Sequence, residues 1–195
     1  MSELQRRNLK VKKYWKLFFV IIVVISVCSC ASLSPNSSLP SPDWQYEKDA
    51  VHFNIKVDPQ LNLNEGLPHT LVLCVYQLKD PNKFNQLAGD EEGLYQLLEC
   101  RAFDASVTSY KRLIVYPGQD IDFTWDRSEG AKYIAFTAGY YSLHKDRMIR
   151  LFKIPTIVKR RGFLWLKKYL APELINIELT LGQLQIQQQK RIEGK

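Results

Sequence analysis

Val51, Phe53, Ile55 and Val57 alternate with His52, Asn54, Lys56 and Asp58. A period of two sends one face of a strand into a core and the other into water. The segment is therefore expected to be a half-buried strand, reaching back as far as Trp44. Thr70–Leu78, TLVLCVYQL, is apolar at almost every position. Its length and β-branched content predict a central strand covered on both faces. Between the two, residues 58–69 (DPQLNLNEGLPH) break both helical and strand periods with Pro, Gly and Asn and read as a loop.

The next stretch changes period. Asp80 is a good helix N-cap with Pro81 at the first helical position, and Phe84, Leu87 and Ala88 then share a face. Gly89 interrupts; Asp90, followed by Glu91 and Glu92, predicts a second start, with Leu94, Leu97 and Leu98 as its apolar stripe. Beyond these two short helices, Ser106–Tyr116 alternates moderately. Tyr116-Pro117-Gly118-Gln119 fits a type II turn, since Gly accepts positive φ at the third position. Ile121, Phe123 and Trp125 then alternate with Asp122, Thr124 and Asp126, so a hairpin is expected about this turn. Further strands are expected at Lys132–Tyr141, at Met148–Val158 with a bend at Pro155, and at Leu174–Leu181, extending toward Ile186. No apolar period follows Ile186, and 188–195 reads as a frayed tail. About seven or eight closely spaced strands with a helical insertion predict a mainly β sandwich over residues 44–187.

The first thirty positions follow another logic. Arg6, Arg7, Lys10, Lys12, Lys13 and Lys16 face one acid, Glu3, and Leu17–Val27 is almost purely apolar. A basic start, a short apolar run and small residues form an export signal. The run is short for a bilayer span, which needs about 20 apolar residues. Val27-Cys28-Ser29-Cys30 fits a bacterial lipobox, with an aliphatic at −3, a small residue at −1 and Cys30 as the acylated residue. Residues 1–29 are then a lipoprotein signal peptide. The competing reading is an uncleaved inner-membrane anchor over Leu17–Leu33. A metal or redox role for Cys28 and Cys30 is disfavoured, because no His, acid or second Cys pair accompanies them.

Cleavage changes the charge picture. The chain carries 27 basic and 20 acidic residues, a net +7; losing six basic residues and one acid leaves 21 against 19, a net +2. The basicity thus belongs mostly to the signal and gives little reason to expect nucleic acid binding. Residues 30–43 are Ser/Pro-rich and read as a flexible tether. Cys74 and Cys100 lie 26 positions apart in the domain. In an oxidising compartment they are a candidate disulfide; two separate buried thiols are the alternative.

Chemistry is sparse. His52, His69 and His144 are scattered, and no metalloprotease, thiol-redox or nucleophile-elbow motif is present. Asp120 and Asp122 read as solvent-facing acids beside a turn. No cofactor, metal or catalytic residue is expected. Two stretches stand out. Leu61 and Leu63 in the Asn-rich loop either pack back on the domain or anchor a partner. In Val158–Glu173, Lys159, Arg160, Arg161, Lys167 and Lys168 flank Phe163, Leu164, Trp165 and Leu166. That mixture suits an anionic membrane surface, or else a hairpin or short helix with its aromatic side in the core and its lysines solvated.

The order of these pieces resembles the TssJ family, the outer-membrane lipoproteins of type VI secretion systems. The resemblance rests on Tyr76, Gln77, Leu78 and Phe84 after the loop, on Pro117 and Gly118, on Ala138, Gly139 and Tyr140, and on the lipobox at Cys30. Cys74, Cys100 and the length of 158–173 depart from the family pattern. The resemblance implies a transthyretin-like β-sandwich with added helices and a non-enzymatic role. It implies anchoring of the secretion membrane complex at the periplasmic face of the outer membrane through the lipid on Cys30. The implied partner is the periplasmic domain of TssM, contacted by the loop between the first two strands: Leu61, Asn62, Leu63, Asn64 and Glu65. Ala31, in place of an Asp retention signal, agrees with outer-membrane sorting. No nucleic acid and no small-molecule substrate is implied. The rival readings are a periplasmic ligand-binding or inhibitor lipoprotein on a similar sandwich, which would need a deep pocket, and a lipid-anchored enzyme. The enzyme would need acids or histidines converging in a cleft, and is disfavoured by the scattered His52, His69 and His144.

Overall fold

The structure is a computed structural model describing residues 39–162 and 167–193, with residues 188–193 by backbone alone. The lipobox cysteine Cys30, the signal segment 1–29 and most of the tether lie outside the described residues, as do Phe163–Leu166.

Two four-stranded sheets face each other. The first has the order β10 (Ile186–Glu193), β9 (Ile175–Leu181), β1 (Glu47–Val57), β4 (Ile121–Arg127). The second runs β3 (Val107–Val115), β2 (Leu71–Leu78), β5 (Tyr133–Ala138), β6 (Ile149–Lys153). The alternation in β1 holds: Val51, Phe53, Ile55 and Val57 are buried, and Phe53 stacks on Phe123 and meets Phe136 of the other sheet edge-on. β2 is the covered central strand that its sequence predicts. It pairs with β3 and β5, and helices α1 (Asn82–Leu87) and α2 (Glu91–Leu98) lie beside it.

Local rules explain the helical layer. The first helix starts one residue later than expected, with Pro81 rather than Asp80 as its N-cap, though the Asp80 carboxylate still accepts from Asn82 N–H at 2.8 Å. Asp90 caps α2 as expected, accepting from Gly93 N–H at 2.7 Å. Glu91 and Glu92 sit in the first turn, where the helix dipole favours them. A Cβ at Gly93 would collide with the Leu87 carbonyl, so glycine lets the two helices touch. Phe84 and Leu97 are fully buried, and Tyr76 of β2 donates its hydroxyl to the Leu97 carbonyl at 2.5 Å. Cys74 and Cys100 are joined across this layer with α-carbons 5.1 Å apart.

The pairing of strands departs from the sequence expectation in three places. Gly118 has φ +72° and Gln119 N–H donates to the Tyr116 carbonyl at 3.2 Å, as a type II turn requires. Yet the flanking strands do not pair: β3 bonds to β2 and β4 to β1. The turn carries the chain from one sheet to the other. Alternation reports which face is buried, and both arrangements bury the same face. Second, the stretch expected as one strand bent at Pro155 is three elements: a helical turn α3 (Lys145–Met148), β6, and a separate strand β7 (Thr156–Arg161). Third, the tail expected to fray is the edge strand β10, antiparallel to β9 as far as Glu193 opposite Ile175. Its polar sequence has no period because backbone bonding to β9, not side-chain burial, holds it in place.

The two sides of the sandwich differ. On one, Arg150 of β6 donates its guanidinium to the Ile186 carbonyl of β10 and draws the sheets together. On the other, β3 and β4 are open edges. Lys111 of β3 turns inward over the rings of Phe123 and Trp125, at 5.1 and 5.3 Å. An inward charge on an edge strand discourages edge-to-edge pairing.

Candidate functional site

Register fixes the two ends of the sandwich. The chain enters at one end, where the buried Arg127 donates to the Gln45 carbonyl at 3.0 Å, pairs with Glu47 at 2.8 Å and lies near the Trp44 ring. At the opposite end are the loop 58–69, the 116–120 turn, the 139–143 segment and the turn between β9 and β10. These four are tied together. Gly118 N–H donates to the Asp58 carbonyl at 3.2 Å, Leu63 N–H to Gln183 at 2.8 Å, and Gln183 to the Gln60 side chain at 2.6 Å.

The loop itself divides into a buried and an offered half. Leu61 is fully buried in the core. It fixes the loop, so the expectation that it anchors a partner is corrected: burial leaves it no surface to offer. Asn62 is corrected likewise. It is 4% exposed, takes φ +49°, donates to the Thr70 carbonyl at 3.2 Å and accepts from Tyr141 N–H at 2.9 Å. Asn tolerates this left-handed conformation because its short amide finds local partners. Leu63 and Asn64 are half-buried and Glu65 is exposed. Asn64 and Leu67 exchange both backbone bonds at 3.0 Å, closing a turn over Glu65 and Gly66 at φ +50° and +79°. Leu67, absent from the sequence reading, is 63% exposed at its edge. Nothing in the loop's composition separates Leu67 from Leu61.

Aromatic side chains surround this turn. Tyr141 is exposed and meets His69 edge-on at 5.1 Å; Tyr95, Tyr116 and Leu184 are exposed at or near the same end. Tyr140 is buried, and burial raises its phenol well above the ordinary value. Asn62, Leu71, Tyr95, Leu98 and Tyr141 line a groove of about 380 Å³ that is open to solvent. An open groove of this kind suits a protein side chain better than an enclosed small ligand. At the base of the loop, Lys56 and Val57 N–H both bond Asp120 and hold its carboxyl below the usual aspartate range. Exposed Tyr side chains of this kind are enriched at protein-binding surfaces in general. Among the described residues, no cluster of His, Cys, Asp or Glu is arranged to hold a metal ion.

The residues that carry the family resemblance have structural roles. Gln77 is fully buried, donating to the Asp126 carbonyl at 2.7 Å and accepting from Ser128 N–H at 2.8 Å, which fixes the β4–β5 turn to β2. Gly139 N–H bonds the Val72 carbonyl at 2.8 Å.

Comparison with solved structures agrees with this fold. The chain is similar to the type VI secretion lipoprotein TssJ1 from Pseudomonas aeruginosa, with TM-score 0.52 and 16% identity over 79% of this chain and 98% of that one. It is also similar to a chain of a structure described as a type VI membrane complex, with TM-score 0.50 and 17% identity over 70% of this chain and 95% of that one. At such identities the likeness speaks to the fold alone. No match is found among curated proteins. The profile of the type VI secretion lipoprotein family (T6SS-SciN; VasD, EvfM, TssJ, VC_A0113) matches residues 49–179, from β1 through β9, and the chain belongs to that family.

Proposed function

We propose that this lipoprotein is anchored in the outer membrane by acylation of Cys30 and holds the periplasmic domain of TssM with the end of the sandwich that carries loop 58–69. The observation that carries this reading is the loop's division of labour. Leu61 and Asn62 pin it from inside, and the turn from Asn64 to Leu67 is thereby offered in a fixed shape. A pre-ordered loop loses little entropy on binding, which favours affinity. The contact set is Leu63, Asn64, Glu65 and Leu67, with Tyr141 beside them. A β-strand rises roughly 3.3 Å per residue, so the sandwich sets this surface some tens of ångströms from the end where the chain enters. A lipid at Cys30 and a partner at the loop would therefore be held apart by a rigid spacer.

Two experiments test the reading. Acyl labelling with membrane fractionation should place label on the native chain in the outer-membrane fraction and none on Cys30→Ser. An unlabelled chain in the inner membrane would replace the lipid anchor with the uncleaved span. Titration of the TssM periplasmic domain should show at least a roughly tenfold loss for Leu67→Asp, the scale of a central interface residue. Unchanged affinity would move the interface elsewhere.

A further inference from the structure

β7 and β8 (Lys167–Pro172) form a two-stranded ribbon outside both sheets. Its register sets Arg160 opposite Lys168, Arg161 opposite Lys167 and Lys159 opposite Tyr169. Every residue of β7 is exposed, including Ile157 and Val158. The stretch is thus a hairpin with its basic residues in solvent, as one of the two sequence readings has it. The aromatic residues that this reading puts in the core, Phe163–Leu166, lie outside the described residues. A lone two-stranded ribbon is marginal in water, and like charges directly opposite one another weaken it further. Neither strand carries an acid to offset them. The ribbon thus holds Lys159, Arg160, Arg161, Lys167 and Lys168 together against its own stability. Period two puts Arg160 and Lys168 on one face and Lys159, Arg161 and Lys167 on the other, so either face presents positive charge.

The ribbon's position adds to this. Ile154, just before it, donates to the Lys132 carbonyl at 2.9 Å, and Gly130 of the same β4–β5 turn donates to the Trp44 carbonyl at 2.7 Å. The ribbon therefore springs from the end of the sandwich where the chain enters, away from loop 58–69.

We infer that the ribbon lies on an anionic phospholipid surface. Cations on both faces fit the diffuse negative charge of a lipid plane, which demands no single docking geometry. Long basic side chains beside exposed Ile157 and Val158 form the mixture that settles at a bilayer interface, apolar parts inward and charged ends at the headgroups. The contact does not require acylation of Cys30, which acyl labelling reports separately.

The test uses the full chain reconstituted in vesicles of phosphatidylcholine alone or of phosphatidylcholine mixed with phosphatidylglycerol. Amide hydrogen exchange is followed at 156–161 and 167–172, with β1 and β9 as internal controls. Exchange in the ribbon should slow by about tenfold or more on the anionic vesicles only, since each basic residue near such a surface contributes roughly fivefold. The protection should vanish at high salt. Lys168→Glu places opposite charges across the ribbon from Arg160. It should slow ribbon exchange on neutral vesicles, because the ribbon itself is steadier, while shrinking the difference between the two vesicle types. Equal exchange on both lipid mixtures would overturn the inference. So would protection that appears only on adding the TssM periplasmic domain, which would make the ribbon a protein interface.

Discussion

The loop 58–69 and the β7–β8 ribbon are both exposed excursions from one sandwich, at opposite ends, and they are built in contrary ways. The loop is fastened at nearly every step: Leu61 in the core, Asn62 bridging Thr70 and Tyr141, Leu63 bonded to Gln183, Asn64 closed on Leu67. The ribbon has its own cross-strand bonds and faces like charge with like charge. Fixed shape with exposed Leu and Tyr is what a protein partner of definite contour needs, because little must be ordered on binding. Concentrated charge without fixed packing suits a partner whose charge is spread over a surface. On the function and the membrane contact proposed above, the difference would separate two kinds of recognition within one small domain.

The most severe way to break the contrast is Leu61→Asp. It puts a carboxylate into a fully buried site, and should cost about 4 kcal/mol or more. Urea unfolding reads the loss. Leu67→Asp, six residues away and 63% exposed, should shift stability by roughly 0.5 kcal/mol or less. Similar midpoints for the two would mean that the loop is not pinned as described.

Next in size is the covalent link between Cys74 and Cys100. A non-reducing mass measurement on the purified lipoprotein should show two hydrogens fewer than the free-thiol chain, and two alkylatable thiols would refute the link. With it formed, reduction should lower unfolding stability by roughly 3–4 kcal/mol in the chain-entropy description. It should also speed amide exchange in α2, beside the groove, while leaving the ribbon unchanged.

Asn62→Ala sharpens the comparison further. It removes the amide between the Thr70 carbonyl and Tyr141 N–H, and should cost about 1–3 kcal/mol. Affinity for TssM should fall with it, because the turn from Asn64 to Leu67 loses its support, although Asn62 itself offers no surface. Exchange in the ribbon is the control that should not move.

The smallest expected effect is electrostatic. Lys56 and Val57 N–H depress the Asp120 carboxyl below its ordinary 3.8. A depressed folded-state value means that the stabilisation is present above the ordinary range and is lost as pH falls through the folded value. Asp120→Asn should therefore lower the midpoint slightly at neutral pH and have no effect in strong acid. Asp120 is exposed, so solvent screening keeps the effect small.

How far the sequence anticipates this architecture depends on what each signal reports. The alternation in Val51–Val57, the continuous apolar run of β2, the Asp90 cap and the Pro117-Gly118 turn are local, and each appears where its residues place it. Strand partners are not local. The residues around Pro117 would look the same in a hairpin as in a crossing between sheets, and β10 is held by a neighbour rather than by its own pattern. The loop was legible as a loop, but which of its residues are buried and which exposed was not. Leu61 and Leu67 are chemically identical, and only the backbone path through Asn62 at φ +49° decides which one dips into the core.

The most direct test of the central claim is a titration of the TssM periplasmic domain against the full-length lipoprotein in detergent, comparing Leu67→Asp with Arg160→Gln/Lys168→Gln. The account predicts a loss of about tenfold or more for the loop substitution and unchanged affinity for the ribbon pair. Full affinity in Leu67→Asp, with binding lost in the ribbon variant, would contradict it and put the partner at the other end of the sandwich.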